Sequence, residues 1–105
     1  MRMIKKLSDE MRENIHEAKE KIKEAYKLRE RDEDRSMADW YRDMAVAHLG
    51  FNATGHQIVT RMIRETESKM HDNPKLPGMV EVYKDLHADI MAETAEVQGM
   101  ISAYK

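Results

Sequence analysis

The stretch from Met44 to Thr60, MAVAHLGFNATGHQIVT, decides the fold, because its seventeen residues include no Lys, Arg, Asp or Glu. The rest of the chain is rich in charge, since 36% of all residues are charged. A surface helix keeps a polar face for solvent, so a helix without charge on any side must be covered on several sides. We therefore expect this segment to be wrapped by other helices of the chain or by a second copy.

Two breaks flank this segment and divide the chain into three helices. The first is RERDEDRS at 29–36, and the second is HDNPKLPG at 71–78, which contains the only two prolines. With Ser8 and Ser36 as N-caps, the predicted helices span about 8–31, 36–70 and 78–104. Short connections make neighbouring helices antiparallel. The prediction is one all-α domain over 1–105, an up-down-up bundle of three long helices.

The second predicted helix carries apolar or small residues on two stripes when it is drawn as a helical wheel. The main stripe contains Met37, Trp40, Tyr41, Met44, His48, Phe51, Gly55, Ile58, Val59 and Met62. The second stripe contains Ala45, Leu49, Ala53, His56 and Ile63. One stripe can meet the other two helices, and the second then needs a partner. The pattern predicts a homo-oligomer, with a dimer as the first expectation, and Leu49, Ala53, His56 and Ile63 as interface residues; the alternative is a monomeric bundle.

Composition excludes several classes of function. The net charge is -2 and both signs are interspersed, so no basic stripe exists to bind nucleic acid. The chain has no cysteine, which excludes disulfides and thiolate chemistry. No apolar stretch approaches the roughly 20 residues that a membrane span needs. We expect a cytoplasmic protein with no membrane and no nucleic-acid partner.

The third helix places a carboxylate among apolar residues. Its stripe contains Met79, Val82, Leu86, Ile90, Val97, Ile101 and Tyr104. Glu93 falls near the centre of this stripe, and an unpaired buried carboxylate is costly. Antiparallel packing about the loop at 73–75 sets Glu93 level with about Gln57, so a contact with His56 is predicted. That contact is either an internal polar pair or part of a metal or proton-transfer site; the alternative is that Glu93 reaches solvent at the edge between two helices.

The histidines are the other candidate metal ligands. His48 and His56 are eight positions apart, about 12 Å along a helix, so they cannot ligate one ion together. His48 is predicted to be a core residue near 19–22 of the first helix. His87 lies at the edge of the stripe of the third helix. If a metal is bound, the candidate ligands are His56, Glu93, His87 and His48.

One Glu-x-x-His motif, Glu13-Asn14-Ile15-His16, occurs in the first helix. Di-iron carboxylate bundles use this spacing to supply two ligands from one helix. Here Ile15 faces the core, so Glu13 and His16 are predicted to face solvent. The motif therefore predicts a surface pair rather than a metal site.

The layout resembles small ferritin-like proteins of gut bacteria and their phages. The resemblance covers the chain from about Asn14 onward and is carried by Trp40-Tyr41, His48-Leu49, Gly55-His56 and the segment from Val80 through His87 to Val97. It implies a ferritin-like bundle with Glu and Glu-x-x-His ligands on inward faces. The sequence departs from that pattern, because Ala45 and Ala53 stand three positions before His48 and His56.

These observations support two functions. The first is a non-enzymatic, self-associating assembly or interaction module with no catalytic residues and no cofactor. The alternative is a ferritin-like protein that binds iron, manganese or zinc through ligands on helices two and three, completed across a dimer interface.

Overall fold

Three long helices make up the part of the chain that the structure, a computed structural model, describes: residues 2–31, 35–69 and 76–105, without the side chains of 2 and 76. They are α1 (Arg2–Glu30), α2 (Arg35–Glu67) and α3 (Leu76–Ala103). No strand occurs in these ranges. The all-helical prediction is confirmed. The molecule is elongated, measuring 61 × 17 × 15 Å.

The start of α1 differs from the prediction. The helix begins at Arg2, six positions before the expected N-cap Ser8, which is 1% exposed and lies inside the helix. The cause is the core pattern, which reaches back to Ile4 and keeps the first turns packed. Part of each predicted break, residues 32–34 and 70–75, lies outside the described residues.

The core of α1 follows an alternating step of four and three residues. Its buried residues are Ile4, Ser8, Met11, Ile15, Ala18, Ile22 and Ala25. Those of α2 are Ala38, Ala45, Leu49, Asn52, Gly55, Val59 and Ile63. The 3.5-residue period keeps one face of a helix against its neighbours over its whole length. The buried residues of each helix therefore form one continuous line, which we call its seam.

Two polar contacts fix the register between α1 and α2. The Asn52 Nδ2 donates to the Met11 carbonyl at 3.2 Å. The His48 Nδ1 lies 2.9 Å from the Asn14 Oδ1. The same register sets Ala18 opposite Ala45, so small residues face each other and the two helices can approach closely.

The seam of α3 corrects the predicted stripe. Met79 and Val82 are 39% and 63% exposed, whereas Val80 is 1% exposed. The residues that face α1 and α2 are Val80, Tyr83, His87, Ile90, Thr94, Val97, Ile101 and Tyr104. These residues are spaced alternately by three and four positions, as the buried residues of α1 are. They include polar residues, which a stripe defined by apolar residues alone leaves out.

Hydrogen bonds from two tyrosines tie the three helices together near the end of α3. The Tyr26 hydroxyl donates to the Met100 carbonyl at 2.7 Å, and the Tyr104 hydroxyl donates to the Asp39 Oδ1 at 2.8 Å. The two rings meet edge to face with centroids 5.7 Å apart. The contacts join α1 to α3 and α3 to α2. None of the described helices is long and apolar enough to cross a membrane.

Candidate functional site

A pair of histidines joins α2 to α3. The His56 Nδ1 and the His87 Nε2 are 2.6 Å apart. The ring planes are 8° from parallel and the ring centroids are 4.8 Å apart. That separation is nearly the N–N distance plus the two ring radii, so the two nitrogens lie between the centroids and point at each other. The geometry is that of an N–H···N hydrogen bond between nearly coplanar rings.

The other nitrogen of His87 identifies the tautomer that fits best. His87 is 9% exposed, and its Nδ1 is buried without a hydrogen-bond partner. A buried N–H without an acceptor is costly, so the arrangement favours a bare Nδ1 and a proton on Nε2. The His87 Nε2–H then donates to the His56 Nδ1. The pair can hold or pass one proton, and His56 is the exposed member.

Burial is the main electrostatic influence on the pair. It lowers the pKa of His87 below the ordinary value of 6.5, and the neighbouring His56 lowers this pKa further. Burial disfavours the charged imidazolium, and a second positive ring so close would add repulsion. His87 is therefore held in its neutral form.

A groove between α2 and α3 opens beside the pair and has a volume of about 380 Å³. Its walls are His56, Thr60, Ile63, Arg64, Glu67, Lys84, His87, Ala88 and Met91. Across the groove the Lys84 Nζ lies 3.0 Å from the Glu67 Oε1. This ion pair and the histidine pair both link the two walls of the groove.

Glu93, predicted to be buried beside His56, is exposed, and the prediction is wrong. It lies with Arg12, His16 and Glu96 on a groove between α1 and α3. Thr94, the next residue, takes the seam position and accepts a hydrogen bond from the Asn52 Nδ2 at 3.1 Å. The rotation that places Thr94 inward turns Glu93 to solvent, and His56 pairs with His87 instead.

The remaining candidate ligands are dispersed. His48 is half-buried and contacts Asn14 on α1, away from residues 19–22 where it was expected. Glu13 and His16 are exposed, as predicted for the Glu-x-x-His motif. Within the described ranges, no group of three or more His, Cys, Asp or Glu side chains could hold a metal ion. A zinc site takes three or four protein ligands, so the two imidazoles of one chain do not fit a metal centre by themselves.

The interface residues predicted on α2 divide between two faces. Leu49 and Ile63 are 5% and 6% exposed and belong to the core of the chain itself. Ala53 and His56 are exposed. α1 and α3 cover neither predicted stripe as a whole. The covered residues are Ala45, Leu49 and Ile63 of the second stripe and Gly55 and Val59 of the main stripe, together with Ala38 and Asn52. Small residues such as Ala45 and Gly55 allow close helix packing.

The uncovered side of α2 is an uncharged surface. Between Asp43 and Arg61 its exposed residues, apart from His56, are Val46, Ala47, Gly50, Phe51, Ala53, Thr54, Gln57 and Ile58, which we call the outer face. Phe51 is 38% and Ile58 44% exposed, and Trp40, one turn beyond Asp43, is 53% exposed. Contiguous apolar residues on a surface mark an interaction site more often than scattered ones do.

Gly50 lies at the middle of the outer face. A Cβ atom at this position would have no neighbour within 4 Å, so nothing in the chain itself requires a glycine there. Gly55 differs, because a Cβ atom there would come within 2.8 Å of the Met11 Sδ. Glycine in a helix interior costs about 1 kcal/mol relative to alanine. The close approach of another helix is a physical reason to keep Gly50.

Comparison of the chain with protein-family models, curated proteins and solved structures gives no match. The similarity to ferritin-like bundles therefore rests on the sequence layout alone. The described helices agree with that layout only in their number, which is three, and in their length.

The sequence placed His56 and His87 among the candidate metal ligands but predicted a contact of His56 with Glu93 rather than with His87. His87 and Thr94 occupy seam positions in the three-four alternation of α3, and Asn52 does so on α2. A search for polar residues at seam positions would have selected all three. A stripe defined by apolar residues alone selected Glu93 instead.

Proposed function

We propose that the protein is a non-enzymatic module that self-associates through the outer face of α2. The observation that carries the proposal is this face itself, eight exposed and uncharged residues on the side of the helix that α1 and α3 leave open. Burial of large apolar side chains such as Phe51 and Ile58 stabilises an association by roughly 25 cal/mol per Å² removed from water. The location in the cytoplasm expected from the sequence stays a prediction.

The occupant of this face is proposed to be a second copy because its two ends are complementary. Asp43 closes one end and Arg61 the other, and both are exposed. A surface with an acid at one end and a base at the other can pair with a copy of itself. A purely apolar surface would carry no such preference.

Sedimentation velocity on the wild-type chain and on Phe51→Glu and Ile58→Glu tests this proposal. The wild-type chain should sediment as a dimer or larger species at micromolar concentration. Each variant should be a monomer with unchanged helical content, because an unpaired charge buried in an interface costs several kcal/mol. Val82→Glu is the matched control, since Val82 is also exposed and apolar but lies on α3. A wild-type chain that is monomeric at all concentrations would contradict the proposal.

A metal-binding function is the alternative, and the contact between His56 and His87 is the observation that favours it. Imidazole nitrogens suit zinc, iron and manganese to different degrees, and the missing ligands would have to come from a second copy. Metal analysis of chelator-free protein tests it. Stoichiometric metal in the wild-type chain and its loss in His87→Ala would support it, and metal-free protein would exclude it.

A further inference from the structure

From the position of two charges on α2, we infer that the second copy packs antiparallel on the outer face, about a two-fold axis close to residue 52. This inference rests on the proposed self-association. It specifies which residues of the two copies meet.

Asp43 and Arg61 lie on one line along α2. They are eighteen positions apart, which is about five complete turns at 3.6 residues per turn. They are therefore separated by about 27 Å along the axis with no rotation between them. The midpoint of the interval is residue 52.

An antiparallel copy that shares this midpoint brings opposite charges together at both ends. Residues whose numbers sum to about 104 then face each other across the two-fold axis, so Asp43 of each copy meets Arg61 of the other. A parallel copy in register would place Asp43 against Asp43 and Arg61 against Arg61. Like charges directly opposed are destabilising, so the charges favour the antiparallel arrangement.

The side chains between the two charges fit the same arrangement. Ala47 faces Ile58 on one side of the line, and Val46 faces Gln57 on the other. At the centre Gly50 faces Thr54, a small residue against another small residue. The large Ile58 thus lies opposite the small Ala47, and the small residues at the centre allow the two helices to approach closely. Two identical surfaces meeting in this way form an isologous, closed dimer.

Both charges have neighbours of the opposite sign within their own chain. The Arg42 Nε lies 2.7 Å from the Asp43 Oδ1, and the Arg61 Nε lies 3.6 Å from the Glu65 Oε1. All four side chains are at least 36% exposed. Exposed pairs of this kind contribute little to stability, so Asp43 and Arg61 can turn toward a partner at small cost.

A charge exchange tests the inference. Asp43→Arg and Arg61→Asp should each raise the dimer dissociation constant by about tenfold or more, since each change opposes like charges at both ends of the interface. The double variant Asp43→Arg/Arg61→Asp should restore the constant to within about threefold of wild type. Asp89→Arg makes the same charge change at an exposed position of α3 and should have little effect.

Cross-linking gives a second measurement, because the chain has no cysteine of its own. A mixture of Val46→Cys and Gln57→Cys should form a mixed disulfide under mild oxidation. Neither variant alone should do so, since the two copies of position 46 would be about 18 Å apart along the axis and those of position 57 about 15 Å apart, both beyond disulfide reach.

The outcomes separate the inference from the function on which it rests. A disulfide between two Val46→Cys chains, or a double variant no better than the singles, would overturn the antiparallel arrangement while leaving self-association intact. A wild-type monomer would overturn both.

Discussion

Asn52 shows how one polar residue can fix the arrangement of three helices. Its side chain is fully buried and its Nδ2 donates to the Met11 carbonyl of α1 and to the Thr94 Oγ1 of α3. The Asn52 Oδ1 is buried without a hydrogen-bond partner, whereas both bonds of the Nδ2 depend on this alignment of the helices, and another alignment would leave that donor unpaired as well. In coiled coils a buried Asn specifies register at some cost in stability. We infer the same role here.

His87 should make the stability of the protein depend on pH. Its folded-state pKa is lowered by burial and by the neighbouring His56, so the folded chain binds fewer protons than the unfolded chain near pH 6.5. Its contribution is complete above the unfolded pKa and is lost as pH falls through the lowered folded value. The free energy of unfolding should therefore decrease on acidification, by at most about 1.4 kcal/mol per pH unit for one proton.

Urea denaturation from pH 8 to pH 5 measures this dependence. His87→Leu should have a shallower dependence than the wild type, because the leucine cannot take up a proton. His16→Ala is the control, since His16 is exposed, and it should follow the wild-type curve. Parallel curves for the wild type and His87→Leu would show that His87 does not carry the effect.

At the scale of the helices, α2 carries two faces with different requirements. Its buried face meets α1 and α3 through small residues and Asn52, whereas its outer face is uncharged without being covered by the chain. The whole outer face and most of the buried face lie in the stretch that has no charge. The stretch is long because α2 needs apolar surface on more than one side.

Gly50→Ala should separate folding from association. In dilute protein the substitution should raise the free energy of unfolding by about 0.5–1 kcal/mol, because the added methyl group has free space and alanine favours the helix. Association should weaken, because the methyl group would project into the close contact with the partner. Thermal denaturation and sedimentation at matched concentrations measure the two effects.

Gly99→Ala is the control for this experiment. Gly99 lies in α3, is exposed, and also has no atom within 4 Å of an added Cβ. It should give the same increase in the free energy of unfolding with unchanged association. If Gly50→Ala associates as well as the wild type, no partner helix approaches at that position.

The number and the approximate bounds of the helices could be predicted from the sequence, because prolines and charged breaks act locally. The rotation of α2 and α3 about their axes could not. The rotation of a helix depends on which of its faces packs best against its two neighbours, and α2 has apolar residues on both of its faces. On a helical wheel, Trp40 and Phe51 lie where core residues are expected. α1 and α3 instead cover the side of α2 that carries the buried alanines and Gly55, because these small residues allow closer packing.

At the scale of the whole molecule, two features of the described residues bear on function, the histidine pair and the outer face of α2. The histidine pair is joined by a hydrogen bond and lies beside the ion pair of Lys84 and Glu67. The larger open feature is the outer face of α2, which occupies the middle of the longest helix. An interaction surface there is consistent with the proposed function of self-association.

The elongated form of the chain has a consequence for how it would diffuse. A rod of 61 × 17 × 15 Å that pairs side by side, about a point near the middle of α2, gains width and almost no length. Its frictional ratio should therefore fall as it pairs, whereas end-to-end pairing would raise the ratio. The maximum dimension seen by small-angle X-ray scattering should stay nearly constant while the mass doubles. The dimer would therefore be less elongated than the single chain, although its mass is twice as large.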